Sequence, residues 1–286
     1  MTAMTAAAAW QADLERDFPQ RLVRHGETVA AVREAGATDA PALVLLHGIG
    51  SGAASWLPLA QRLKDRARII AWDAPGYGES TPLAEAAPRA EAYMGRLREL
   101  LDALGVRRCL LLGHSLGAMA ALALANIEPQ RVARLVLLSP ARGYGARPDE
   151  GEAVRSRRLA GLASEGIAGL AERRAPAMLG ANPGAAALAW VRWNMARLRP
   201  HGYRQAVELL CGDDLLRLGR PPVPSEVLCG SEDGITPPAA CREVAEALAA
   251  PFRLIPGAGH ASPIECPEAL AGLLARLLEH CQGLKP

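Results

Sequence analysis

The chain has 286 residues, with 32 Lys and Arg against 30 Asp and Glu, a formal net charge of +2. That length suits one large α/β domain with an insertion, or two small domains, and the scattered, balanced charge makes no case for a nucleic-acid or anionic-membrane partner. Six cysteines without C-x-x-C pairs or metal-ligand spacing point to a reducing compartment and away from a metal module.

In chain order, the first segment, MTAMTAAAAWQADLERD, lacks the cationic leader of a signal peptide and reads as a frayed or helical arm. Residues 21–25 and 28–33 flank Gly26-Glu27 as an antiparallel hairpin at a sheet edge. Six short, almost continuously apolar runs follow: Ala42–Leu46, Arg68–Trp72, 109–112, 135–138, 225–228 and Phe252–Ile255. Strands buried on both faces of a parallel sheet have this character. Helical patterns lie between them at 56–64, 89–104, 116–126, 238–249 and 267–281, and several open with Pro, which suits a first helical turn. The rhythm is that of an α/β fold. No apolar run nears the roughly 18 residues a membrane helix needs, so a soluble cytoplasmic protein is expected.

The alternation breaks between residues 141 and 222, where four helical patterns follow one another without a strand. This predicts a helical cap, 141–222, inserted in a core made of 1–140 and 223–286. Such a cap would roof the strand ends where open α/β sheets bind ligands.

The run CLLLGHSLGAMAALALA contains Gly113-His114-Ser115-Leu116-Gly117 between a strand and a helix. G-x-S-x-G in that context places a serine on a sharp strand-to-helix turn with its hydroxyl exposed. The alternative use is a serine that merely caps a helix. The helix N-terminus and the Leu116 N–H would stabilise negative charge developing beside Ser115.

On these residues the chain resembles the α/β-hydrolase superfamily over about residues 21–281. The resemblance implies a mostly parallel eight-stranded sheet flanked by helices, with a helical cap insertion. It also implies an order of oxyanion loop, elbow, cap, acid loop and histidine loop. His260, in the Gly-rich loop LIPGAGHASPIECPEAL, falls where this fold delivers a base, and the order Ser…Asp…His is kept. Asp233, in GSEDGITPP, matches the family's acid loop; Glu232 is the alternative acid and a simple turn aspartate the bland reading. The residue after His47-Gly48, Ile49, would supply the second oxyanion N–H. His47 would brace that loop, and Trp56 would pack in the core. A serine at the elbow argues against the dehalogenase and epoxide-hydrolase branches, which carry Asp there.

Two narrower resemblances diverge. The spacing from His47 to Trp56 is similar to hydrolases of meta-cleavage products, which break C–C bonds, but His114 and Ala261 replace their usual Asn and Trp. The later segments resemble 3-oxoadipate enol-lactonases and related esterases, implying a small ester or lactone, with or without a carboxylate. The expectation is therefore a cofactor-free, metal-free serine hydrolase; a triad-bearing ligand receptor and a homodimer both stay open. His114, Trp190 and Trp193 are candidate pocket residues, with packing between cap and core as the bland reading of the tryptophans. Arg142, Arg173, Arg174, Arg192 and Arg204 are candidate carboxylate partners, and Asp213 and Asp214 read as cap-surface or helix-end residues.

Overall fold

The computed structural model describes residues 3–280, with side-chain surroundings described from Trp10 onward. Helix α1 (Ala3–Asp17) leads into the hairpin β1 (Gln20–His25) and β2 (Thr28–Ala35), in which His25 pairs with Thr28 across a two-residue loop. Gly26 takes φ 56° there, as the first position of such a loop demands. Then come β3 (Ala42–Leu46), α2 (Leu57–Leu63), β4 (Arg68–Trp72), α3 (Ala90–Ala103), β5 (Cys109–His114), α4 (Gly117–Ile127) and β6 (Val132–Leu138). The helical stretch α5 (Pro148–Arg174), α6 (Ala185–Ala196) and α7 (Pro200–Gly212) follows. The chain closes with β7 (Ser225–Gly230), α8 (Pro238–Ala247), β8 (Phe252–Ile255), α9 (Ser262–Glu265) and α10 (Pro267–Glu279).

The eight strands form one sheet in the order β1-β2-β4-β3-β5-β6-β7-β8. The first two pairings are antiparallel and all others parallel. Every residue of β3, β4 and β5 is buried, which explains why their sequences lack polar alternation. The expected strands hold with longer ends: β5 continues through Gly113 to His114, and β6 starts at Val132. Backbone pairing, not side-chain polarity, sets these limits, so apolar runs understate them. The last helix reaches Glu279, and Cys281 of the expected helix lies outside the described residues.

Asp213 and Asp214 are helix-end residues, as one of the two readings had it, Asp213 closing α7 and Asp214 opening the short turn after it, but neither lies at the surface: both are buried. Asp213 accepts the Ala90 N–H at 2.9 Å, satisfying an open donor at the start of α3, and its charge is met by Arg217 at 2.8 Å. Asp214 accepts the Leu216 N–H at 2.8 Å. Among the described residues, no helix is long and apolar enough to cross a membrane.

Candidate active site

Strand β5 ends at His114, and Ser115 follows with φ 52°, a left-handed conformation that costs a non-glycine residue energy and persists only where the surroundings enforce it. Hydrogen bonds from the Ser115 N–H to Leu138 O (2.9 Å) and from the Ala141 N–H to Ser115 O (3.1 Å) hold the bend against β6. The turn is tight enough that a Cβ on Gly117 would stand 2.6 Å from Leu46 O. The loop that continues from the same end of β3 also presses so closely that a Cβ on Gly48 would lie 2.8 Å from Ser115 Cβ.

His260 and Asp233 arrive from the loops after β8 and β7. The His260 Nδ1 meets Asp233 Oδ2 at 2.8 Å, and both side chains are essentially excluded from solvent. The second carboxylate oxygen, Oδ1, accepts the Ile235 and Thr236 N–H groups at 2.8 and 2.9 Å. Burial pushes the Asp233 carboxyl up, but the hydrogen bond and charge of His260 and the Thr236 N–H outweigh it and hold the group down at about 2. Glu232, the alternative acid, is turned elsewhere: its Oε2 accepts the Ala181 N–H at 2.7 Å.

The two other buried histidines are neutral for legible reasons. His47 donates from Nδ1 to Gly48 O (2.8 Å) and accepts the Ala74 N–H at Nε2 (3.0 Å), so both nitrogens are committed and the loop is braced. Burial lowers its pKa. His114 donates from Nε2 to the backbone carbonyl of His260 at 2.9 Å. Burial, followed by the nearby His260, pulls its pKa down to about 3.

Ser115, His260, His114, Ile49 and Leu116 all border one cavity of about 260 Å³ between the sheet and the helical stretch. That is near the low end of small-molecule sites. Trp190 and Trp193 do not border it. Trp190 is 3% exposed, meets Trp10 of α1 edge-on at 4.9 Å and stacks on Trp193 at 5.1 Å. The two tryptophans join α6 to the amino-terminal helix, and the pocket assignment is corrected accordingly. Met178 and Met195 do line the cavity.

Sequence reading missed three contributors. Tyr77 donates its hydroxyl to Ile49 O at 3.0 Å and so orients the peptide beside the expected oxyanion donor. The Thr236 hydroxyl sits 3.0 Å from Asp233 Oδ2 and 3.2 Å from His260 Nδ1. Arg158 borders the cavity and donates to the Tyr203 hydroxyl at 3.3 Å. Thr236 lies inside the quoted GSEDGITPP segment and could have been found there; nothing local marks Tyr77 or Arg158 as partners of this site.

Residues 43–273 match the model of the Alpha/beta hydrolase family, and the chain belongs to that family. A protein of Caulobacter sp. (strain K31) named for carbamate hydrolysis, RutD, is 30% identical over 260 residues, covering 85% of this chain and 92% of the relative. The 2-hydroxy-6-oxononadienedioate/2-hydroxy-6-oxononatrienedioate hydrolase 2 of Pseudomonas putida is 37% identical over 113 residues, 38% of this chain and 39% of that protein. Several of the most similar curated relatives are matched over less than half their own length. Among solved structures, the enol-lactonase of Burkholderia xenovorans LB400 superimposes with a TM-score of 0.80 at 26% identity, covering 91% of this chain and all of that one.

Proposed function

We propose that the protein is a serine hydrolase that cleaves a small carboxylic ester or lactone through an acyl-enzyme on Ser115. The observation that carries this reading is the 2.8 Å His260–Asp233 contact beside a serine held at φ 52° on the same cavity. With Nδ1 committed to Asp233, His260 has Nε2 left to take the Ser115 proton, while Asp233 keeps the ring in that tautomer and stabilises the imidazolium. The N–H groups of Ile49 and Leu116 would receive the oxyanion. His260 then protonates the leaving alkoxide or enolate, and water activated by the same ring releases the acid. The helical segment, residues 141–222, acts as a cap over the cavity, with 1–140 and 223–286 as the core. Buried thiols at Cys211, Cys229 and Cys241 suit a cytoplasmic setting.

The deciding experiment combines a fluorophosphonate probe with turnover of p-nitrophenyl butanoate and small lactones. Labelling located to Ser115 by mass spectrometry, with turnover lost in Ser115→Ala, is expected. Labelling without turnover of any ester, lactone or carbamate would favour a binding protein. Cleavage of a vinylogous 1,5-diketone acid in preference to esters would favour the C–C hydrolase reading, which the partial likeness to the Pseudomonas putida hydrolase supports.

A further inference from the structure

Four arginines border the cavity: Arg142, Arg147, Arg158 and Arg174. Two are neutralised within the fold. Arg142 Nε faces Asp214 Oδ2 at 3.4 Å, and Arg147 Nη1 meets Glu150 Oε2 at 2.9 Å. The other two are not. Arg158 has the neutral Tyr203 hydroxyl for a partner. The influences on Arg174 are burial, then the charge of Arg158, with Tyr203, Arg173 and Arg157 after them; together they lower its pKa from the ordinary arginine value. Among the described residues, neither has a carboxylate within ion-pairing distance. The one acidic side chain in the cavity lining, Glu243, is exposed on core helix α8 and makes no ion pair with either among the described residues.

This pair is assembled by the fold. Arg158 and Arg174 are sixteen residues apart on α5, a separation that in a straight helix would put their Cα atoms about 24 Å apart. The stretch instead breaks at Gly166 (φ 63°, ψ −175°) and doubles back, so that Gly161 lies against Leu170 and the Arg173 guanidinium. Two half-buried cations then share one small cavity, repelling each other where solvent screens them poorly. Two neighbours on the same helix do meet carboxylates: Arg173 bonds Glu165 at 2.8 Å and Arg155 bonds Glu208 at 2.9 Å. This uncompensated pair lines the same cavity as Ser115 and offers a ligand anion two unmet positive charges.

We infer that Arg158 and Arg174 form a subsite for a carboxylate carried by the substrate, away from the bond that is cleaved. The inference rests on the serine-hydrolase reading for its orientation and narrows the substrate class to anionic esters or lactones. A guanidinium pair suits a planar carboxylate because each can offer two parallel N–H donors. Leu170, Met178, Met195 and Leu198 supply an apolar sleeve for the carbons between the two ends.

The test compares mono-p-nitrophenyl adipate with p-nitrophenyl hexanoate, which present the same acyl length with and without the carboxylate. The wild type is expected to prefer the adipate ester at least tenfold in kcat/KM, mainly through KM. Arg174→Met and Arg158→Met are expected to cut that preference 10- to 100-fold, and Arg174→Lys to keep part of it. Equal losses on both esters, or no preference in the wild type, would overturn the subsite. Calorimetric titration of Ser115→Ala with adipate separates this from a failure of the hydrolase reading. Binding that disappears in Ser115→Ala/Arg174→Met supports the subsite even if no ester turns over, and binding indifferent to Arg174 removes it. Tighter binding of inorganic phosphate than of adipate would also overturn the carboxylate assignment. Because Arg174→Met relieves a repulsion, its unliganded melting temperature should hold or rise.

Discussion

The His114 imidazole donates from Nε2 to the backbone carbonyl of His260 at 2.9 Å, joining the residue before the proposed nucleophile to the loop that carries the proposed base. The two rings lie 4.7 Å apart, so the loop is held by a neutral donor that does not compete for the proton. In the proposed mechanism His114 is a positioning residue. His114→Ala should lower kcat about 10- to 100-fold with little change in KM, and His114→Gln, which keeps an N–H donor, should recover part of the loss. An unchanged kcat in the alanine variant would show that the loop holds its place without this bond.

Acid should weaken the fold from near pH 6.5 downward. His114 titrates at about 6.5 when unfolded but about 3 when folded, so between those values the unfolded chain binds a proton that the native state refuses. Stability present above pH 6.5 is then lost as pH falls, by up to about 1.4 kcal/mol per pH unit for one such group. His47, also lowered by burial, adds in the same direction. Asp233, held near 2, contributes its own loss only below about pH 4. Urea unfolding at pH 7, 6 and 5 should show this slope, and His114→Gln should flatten it by about one proton's worth. Identical slopes would contradict the assignment.

Asp233→Asn should leave the fold standing while lowering kcat by about three to four orders of magnitude, because the amide can no longer hold the Nδ1–H tautomer or balance an imidazolium. Stopped-flow measurement of ester acylation checks this directly. A loss below tenfold would return the acid role to Glu232 or to no residue.

Tyr77→Phe removes the hydrogen bond to Ile49 O and nothing else from that loop. A stability loss of about 1 kcal/mol is expected, with kcat/KM falling several-fold for esters of every acyl length. A change confined to one substrate would point to a direct contact instead.

Trp190→Ala should destabilise the protein by about 3–5 kcal/mol, since it empties a buried site between α6 and Trp10. Substrate preference between the adipate and hexanoate esters should stay as in the wild type. A strong shift in that preference would restore Trp190 to the pocket.

The strands, the elbow and the order of its partner loops were legible because each is written locally. Runs such as ALVLL and CLLL exclude polar alternation only when both faces are covered. Gly113 meets the turn it opens, at Ala118, Ala121 and Gly117 O, although Gly117 owes its smallness to Leu46 and His47 at the end of β3. His260 and Asp233 were found by position within that order, although they are 27 residues apart in sequence.

Other features were decided by closure of the chain. Whether an arginine is neutralised depends on which carboxylates the fold brings to it, and only the doubling of α5 at Gly166 puts Arg158 and Arg174 on one cavity. Trp190 reads the same in sequence whether it faces a ligand or Trp10 of the first helix. Asp213 carries no local sign that it will be buried at the start of α3, 123 residues earlier. Local pattern reports steric and hydrophobic demands on neighbouring residues. Charge balance and burial are sums over distant ones, and they take their values only when the tertiary structure has formed.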